Sequence, residues 1–211
     1  MTRVLIADDH EVVRLGLRDL LVTRLGLPVE VGEARDAVEA IALVAGREWD
    51  LLLLDINMPG RSGLDVLEEA RRLRPRMPVL VLTAYPEEQF ALRAFKMGAA
   101  GYLTKLSVSD ELITAARRLL AGGKYVTVSL AERLATSVAT GGEQAEHEAL
   151  SHRELQVLRL IAMGRSTREI AVELNLSEKT VATYRTRIAE KTGLKSNVEM
   201  ARYALKHGLV D

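Results

Sequence analysis

Residues 50–67 read DLLLLDINMPGRSGLDVL. Four consecutive leucines end in Asp55, and twelve residues on the chain is already in a helical pattern opened by Ser62 and Asp65. A short unbroken apolar run is expected of a strand buried on both faces, and serine followed three residues later by an acid is a helix start. This is a strand–helix unit with an aspartate at the strand's downstream end. The same pattern recurs on either side. Strands are predicted at about 3–8, 28–33, 50–55, 77–83 and 100–103, and helices at about 11–24, 36–46, 63–74, 87–97 and 108–121. Val12, Val13, Leu17, Leu20 and Leu21 recur at helical spacing on the first helix, and Asp36 can cap the second. Strict alternation with short joints predicts a five-stranded, doubly wound parallel α/β sheet covered on both faces.

In such a sheet every strand's C-terminus emerges along one edge, and that edge is where ligands bind. RVLIA leads into Asp8 and Asp9, LLLL into Asp55, MPVLVL into Thr83 and AGYL toward Lys105. Each aspartate taken singly is more often a cap or turn former. Carboxylates, a hydroxyl and an ammonium at successive strand ends suit one reaction. Hard divalent cations such as Mg²⁺ take oxygen ligands, which Asp8, Asp9 and Asp55 offer. An aspartate can also attack phosphorus to give an acyl phosphate, with Lys105 and Thr83 neutralising the phosphoryl oxygens.

From Ser151 the pattern is all helical. Ser151–Glu154 and Ser166–Glu169 are two capping boxes, and Ile170, Ala171 and Leu174 share one face of a short helix. Asn175-Leu176-Ser177 makes a tight turn, after which a helix runs over about 178–191 and a last one over about 197–207. Two short helices across such a turn form a helix-turn-helix. The second, within SEKTVATYRTRIAEKTG (177–193), packs through Val181, Ile188 and Tyr184. It leaves Lys179, Ala182, Thr183, Arg185, Thr186 and Arg187 outside. A helix of this width fits a DNA major groove, although exposed helices often carry such residues merely solvated. The predicted division is 1–121, a linker with a short helix at 129–138 over 122–150, and a small all-α four-helix domain over 151–211.

The net charge of zero is a cancellation. Residues 1–121 carry 16 Lys and Arg against 18 Asp and Glu, residues 122–150 carry 2 against 4, and residues 151–211 carry 11 against 7. The surplus of positive charge sits in the part that would meet nucleic acid. The chain has no cysteine, which excludes disulfides and thiolate chemistry and fits a reducing cytoplasm. Neither a membrane span nor a signal-peptide layout is expected from the apolar runs.

VLIADDHEVVRLGL, DLLLLDINMPGRSGLDVL, PVLVLTAY and GAAGYLTK together resemble the receiver domain of bacterial two-component response regulators, over all of 1–121. The segment from Leu150 to Val210 resembles the LuxR-type helix-turn-helix domain, and the pair resembles the NarL/FixJ family. The resemblance implies a cytoplasmic transcription regulator rather than an enzyme, phosphorylated on Asp55 by a sensor histidine kinase. Asp8, Asp9, Asp55 and the Asn57 carbonyl would hold Mg²⁺. Thr83 and Lys105 would bind the phosphoryl group, and Tyr102 would occupy an aromatic switch position, turning inward on activation. Lys179, Thr180, Ala182, Thr183, Arg185, Thr186, Arg187 and Lys191 would face double-stranded DNA, with a homodimer as the binding form. Leu106 stands where many receivers have proline. A Mg²⁺-dependent aspartyl phosphatase of the haloacid dehalogenase type is the competing chemistry. It places its nucleophile first, in a DxD motif, whereas here the acidic pair comes first and Asp55 is followed by Ile56-Asn57, which leaves no second aspartate for general acid work. A regulator that binds DNA regardless of phosphorylation, with the receiver serving only to dimerise, is the other alternative.

Overall fold

The computed structural model describes residues 1–58, 62–84, 87–127, 130–132, 135, 147, 150–174 and 176–210. The chain divides into two compact units, Met1–Ala139 and Thr140–Asp211.

The first unit runs β1 (Thr2–Ala7), α1 (Glu11–Arg24), β2 (Val29–Ala34), α2 (Ala37–Gly46), β3 (Leu51–Asp55), α3 (Gly63–Leu73), β4 (Val79–Thr83), α4 (Glu87–Lys96), β5 (Gly101–Thr104) and α5 (Val108–Leu120). All strand pairs are parallel, in the order β2-β1-β3-β4-β5. The order therefore reverses at β1, and the crevice between the ends of β1 and β3 is the switch point where such sheets bind ligands. Every residue of β3 and β4 is buried, as their unbroken apolar runs require. Side chains alternate across the sheet. Val4, Ile6, Leu51, Leu53, Leu80, Leu82 and Leu103 pack with Leu17 and Leu21 of α1 and Leu112, Ala115, Ala116 and Leu119 of α5.

β4 begins at Val79, two residues later than its apolar run, because Pro78 has no N–H to donate to a ladder. Asp36 caps α2 through the Glu39 N–H at 2.8 Å, and the Ser62–Asp65 capping box opens α3. The expected packing face of α1 needs correction. Leu17 and Leu21 are buried, but Val12 is 82 % exposed, because five residues before Leu17 it lies about 140° round the helix, on the outer face with Leu15 and Val22. The expected linker also begins otherwise than predicted. The Tyr125 N–H donates to the Ala100 carbonyl at 2.9 Å, Tyr125 bridges Gly101 beside β5, and Leu130 is fully buried. Of the predicted helix at 129–138, residues 130–132 and 135 are helical; the rest, with Gly141-Gly142, lies outside the described residues.

Gly32 of β2 lies flat against Trp49, since a Cβ there would come within 2.1 Å of the indole ring. That ring is held from two other sides. Its Nε1 donates to the Leu43 carbonyl at 2.9 Å, and the Arg47 guanidinium lies 4.0 Å over it. Gly32→Ala must push the indole out of this seat, so a loss of about 1–3 kcal/mol is expected. Trp49 is the chain's one tryptophan, so thermal unfolding followed by its fluorescence checks the loss directly.

The second unit holds α6 (His152–Ala162), α7 (Thr167–Glu173), α8 (Glu178–Thr192) and α9 (Asn197–Lys206). Capping boxes open α6, α7 and α9, and Ser177 caps α8 by accepting from the Thr180 N–H at 3.1 Å. Gly193 stops α8 in the left-handed conformation at φ 73°, which a side chain would disfavour. The turn between α7 and α8 is short, as predicted, though Asn175 within it lies outside the described residues.

Candidate functional site

The parallel register brings the strand ends together. Asp8 follows β1, Asp55 ends β3 and Thr83 ends β4; all three are buried, at 1 %, 2 % and 0 % exposure. Carboxylate oxygens of Asp8, Asp9 and Asp55 and a ring nitrogen of His10 all lie within 4.8 Å of one another. Lys105, just past β5, reaches across to place Nζ 2.6 Å from Asp55 Oδ2 and 2.7 Å from Asp8 Oδ2. Its backbone N–H donates to the Thr83 carbonyl at 2.7 Å. The half-buried Asn57 donates its N–H to Asp55 Oδ1 at 3.0 Å. The sheet edge thus gathers Asp8, Asp9, Asp55, Asn57, Thr83 and Lys105, the set expected from the sequence.

Burial lifts Asp55 above the ordinary carboxylate range. The charge and hydrogen bond of Lys105 and the Asn57 N–H pull it back, and Asp8 pushes it up again. Burial works against the charge on Lys105. Attraction to Asp55, with hydrogen bonds to Asp55 and Asp8, outweighs it and raises the ammonium above its usual value. Two carboxylates within 2.7 Å of one ammonium favour the charged arrangement at neutral pH.

Two further residues belong here that pattern reading missed. The His10 N–H donates to Asp8 Oδ1 at 2.9 Å, and its ring Nδ1 lies 2.8 Å from Asp9 Oδ1. Arg14 donates to the Asp8 carbonyl at 2.8 Å and pairs with Glu33 of β2 at 3.2 Å, so it anchors the acid pair to the neighbouring strand. The position of His10 directly after Asp9 was a signal. Arg14 carried none, because its partners are a backbone carbonyl and a residue on another strand. Tyr102 requires a correction. Its ring is already inside, 1 % exposed, so the inward turn expected of it is not available from this conformation.

On α8, Val181 and Ile188 are buried and Tyr184 is half-buried, while Lys179, Ala182, Thr183, Arg185, Thr186 and Arg187 are exposed on the other side. The Thr183 and Thr186 hydroxyls donate to the carbonyls of Lys179 and Ala182 at 3.0 and 3.2 Å. That leaves their methyl groups and oxygen lone pairs for an outside partner. Thr180 differs from these, being half-buried with its hydroxyl 2.8 Å from Ser177 Oγ at the cap. Lys191 differs too, with Nζ 2.6 Å from the buried carboxylate of Glu154 on α6. No described helix is long and apolar enough to cross a membrane.

Comparison with known proteins agrees with both halves. The response regulator receiver domain model matches residues 4–117, and that of the bacterial regulatory proteins of the luxR family matches residues 148–204. Response regulator GacA of Pseudomonas aeruginosa is 38 % identical over 212 residues, spanning 100 % of this chain and 99 % of its own. Response regulator UvrY of Escherichia coli K12 is 35 % identical over 210 residues, spanning 99 % and 96 %. Among solved structures, RcsB of Salmonella enterica serovar Typhimurium, bound to a promoter in the presence of a phosphomimetic, superposes with a TM-score of 0.59. It is 27 % identical, over 96 % of this chain and 97 % of that one.

Proposed function

This chain belongs to the two-component response regulators of the NarL/FixJ family, with a receiver and a LuxR-type DNA-binding domain, and we propose that phosphorylation of Asp55 governs its reading of DNA. The receiver domain implies a histidine kinase as partner. The observation that carries the proposal is the buried Asp55 carboxylate, held 2.6 Å from Lys105 Nζ beside a second buried carboxylate. A kinase phosphohistidine is the donor. An Asp55 oxygen forms the new bond to phosphorus, the P–N bond breaks, and its electron pair returns to the imidazole. The acyl phosphate then carries roughly two negative charges where the carboxylate carried one. Lys105, already suspended between Asp55 and Asp8, moves to the phosphoryl oxygens, and the Thr83 hydroxyl donates to another. Because the Lys105 N–H is bonded to the Thr83 carbonyl, displacement at the end of β4 is passed to β5, where Tyr102 is packed.

The donor set fits a hard cation, since oxygens dominate it and three carboxylates converge. Asp8, Asp9, Asp55 and the Asn57 carbonyl would hold Mg²⁺, which when bound neutralises the phosphoryl oxygens during transfer. Saturating Mg²⁺ is expected to stabilise the receiver, by about 2.7 kcal/mol at a hundredfold excess over Kd. Asp9→Asn should abolish most of that gain in a thermal shift assay. An equal gain in both chains would remove Asp9 from the site.

The kinase is given a surface beside the acids. α1 starts two residues after Asp9 and exposes Val12, Leu15 and Val22, a stripe at helical spacing suited to a partner helix. On α9, Met200 and Ala204 are buried, whereas Val198 and Leu205, seven residues apart, are 70 % and 58 % exposed. We assign this surplus to a homodimer contact on DNA. The phospho-acceptor machinery lies within 1–121 and the DNA-binding domain within 151–211, and the protein works in the cytoplasm as a switch rather than an enzyme.

DNA-site selection with and without a small-molecule phosphoryl donor tests the whole reading. Paired half-sites recovered more strongly with the donor, and labelling that stops at one phosphoryl group per chain, are expected. Identical selection in both arms would make the receiver a dimerising module only. Continued phosphate release over many turnovers would restore the phosphatase reading.

A further inference from the structure

The signature Ser-x-x-Glu opens three helices of the second unit, but one of its three acids is unlike the others. Glu169 and Glu199 are exposed and accept from their own serine N–H groups at 2.8 and 3.0 Å. Glu154 is 2 % exposed, and its Oε2 accepts both the Ser151 N–H at 2.5 Å and Lys191 Nζ at 2.6 Å. One carboxylate oxygen thus joins the first turn of α6 to the last turn of α8, across 37 residues of chain. A buried carboxylate is costly unless paired, so this contact is under strong constraint. It also lies on the helix whose outer face carries Arg185, Thr186 and Arg187.

We propose that the Glu154–Lys191 pair is a positioning clamp that fixes how α8 lies on α6, and that Lys191 serves DNA reading through Glu154 rather than through a phosphate. The clamp deepens the reading of α8 as the DNA-facing helix and rests on it. Contacts to base edges need placement within about half an ångström, whereas long basic side chains find phosphates from a range of helix orientations. Loss of the clamp therefore weakens sequence-specific binding and leaves the electrostatic, sequence-independent part nearly intact.

The test uses the full chain, a duplex recovered by site selection with the parent protein, and a mixed-sequence duplex of equal length. Lys191→Met and Glu154→Gln are each expected to weaken binding to the selected duplex about tenfold or more, the scale of a lost base contact. Binding to mixed sequence should change less than about threefold. The double variant should lose no more than either single one, because the two residues act as a unit. The dependence of affinity on salt should keep its slope in Lys191→Met, whereas a lost phosphate contact would reduce it by about 0.9. That reduction, an unaffected Glu154→Gln, or additive losses would overturn the clamp. Circular dichroism checks folding; should a single variant unfold, the double variant leaves neither charge unpaired, and the same criteria of specificity and salt slope apply to it. Arg185→Ala and Thr186→Ala separate the two ideas. If these also leave the selected duplex bound as before, α8 is not the reader and the underlying assignment fails. If they weaken binding and the clamp variants do not, only the clamp fails.

Discussion

An Asp55→Asn chain is expected to incorporate no phosphoryl group and, at neutral pH, to melt higher than its parent. The first result follows from chemistry. An amide has no anionic oxygen to attack phosphorus, and Asp8, the second buried acid of this site, is engaged by Lys105 at 2.7 Å and the His10 N–H at 2.9 Å. The second follows from burial. Asp55 binds its proton more tightly in the folded chain than in the unfolded one, because desolvation outweighs the help from Lys105 and Asn57. A group raised in this way contributes its stability below its unfolded value of about 4 and loses it as pH rises through the folded value. At neutral pH the ionised carboxylate is therefore a cost, and asparagine removes it while Lys105 keeps Asp8. A gain on the order of 1 kcal/mol, or about 2–8 °C, is expected at pH 7, shrinking toward zero near pH 4. Calorimetry at the two pH values and mass spectrometry after treatment with a phosphoryl donor check the two halves. A lower Tm at pH 7 would show that the Lys105 pair outweighs burial. Full incorporation by the asparagine chain would move the acceptor elsewhere.

What could be read from the chain and what could not divide along the range of the interactions. Asp55, Thr83 and Lys105 were legible because each stands at the end of an apolar run, and a parallel sheet delivers all such ends to one edge. The caps at Asp36, Ser62, Ser151 and Ser177 were legible because a cap is decided within three or four residues. The pairing of Lys191 with Glu154 was not, since both belong to unremarkable local patterns that only the packing of α6 on α8 brings together. Arg14 falls in the same class. On α1 apolar residues run round more than one face, so their recurrence could not say that Val12 falls with Leu15 and Val22 on the exposed one. Tyr102 could be placed on β5 but not given a rotamer, because its burial depends on neighbours from other strands.

Gly63→Ala is expected to be the most damaging single methyl among the described glycines of the receiver. A Cβ at this position would stand 2.0 Å from the Asp55 carbonyl oxygen and 2.7 Å from Ile56 Cα, well inside any contact that carbon can make. Both obstacles are backbone, so no side-chain rotation relieves them. The Gly63 N–H also donates to the Ile56 carbonyl at 2.9 Å, which pins the first turn of α3 against the exit of β3. Relief requires moving either α3, whose Leu64, Val66, Leu67 and Ala70 are buried, or the segment that carries the acceptor. A loss of about 3 kcal/mol or more is expected, with a fall in Tm on the order of 10 °C. Whatever folded chain remains should be phosphorylated about a hundredfold more slowly, since an ångström of misplacement costs that much in a positioned reaction. Gly16 supplies the matched control. It lies inside α1, and a methyl added there would meet nothing within 4 Å, so Gly16→Ala should stabilise by about 0.5–1 kcal/mol through helix propensity alone. The same substitution then has opposite signs at two helical glycines, and thermal melts of both chains measure it. A Gly63→Ala chain that melts within a degree of its parent would mean that α3 is free to slide on β3, and Asp55 would lose the fixed seat on which the proposed transfer depends.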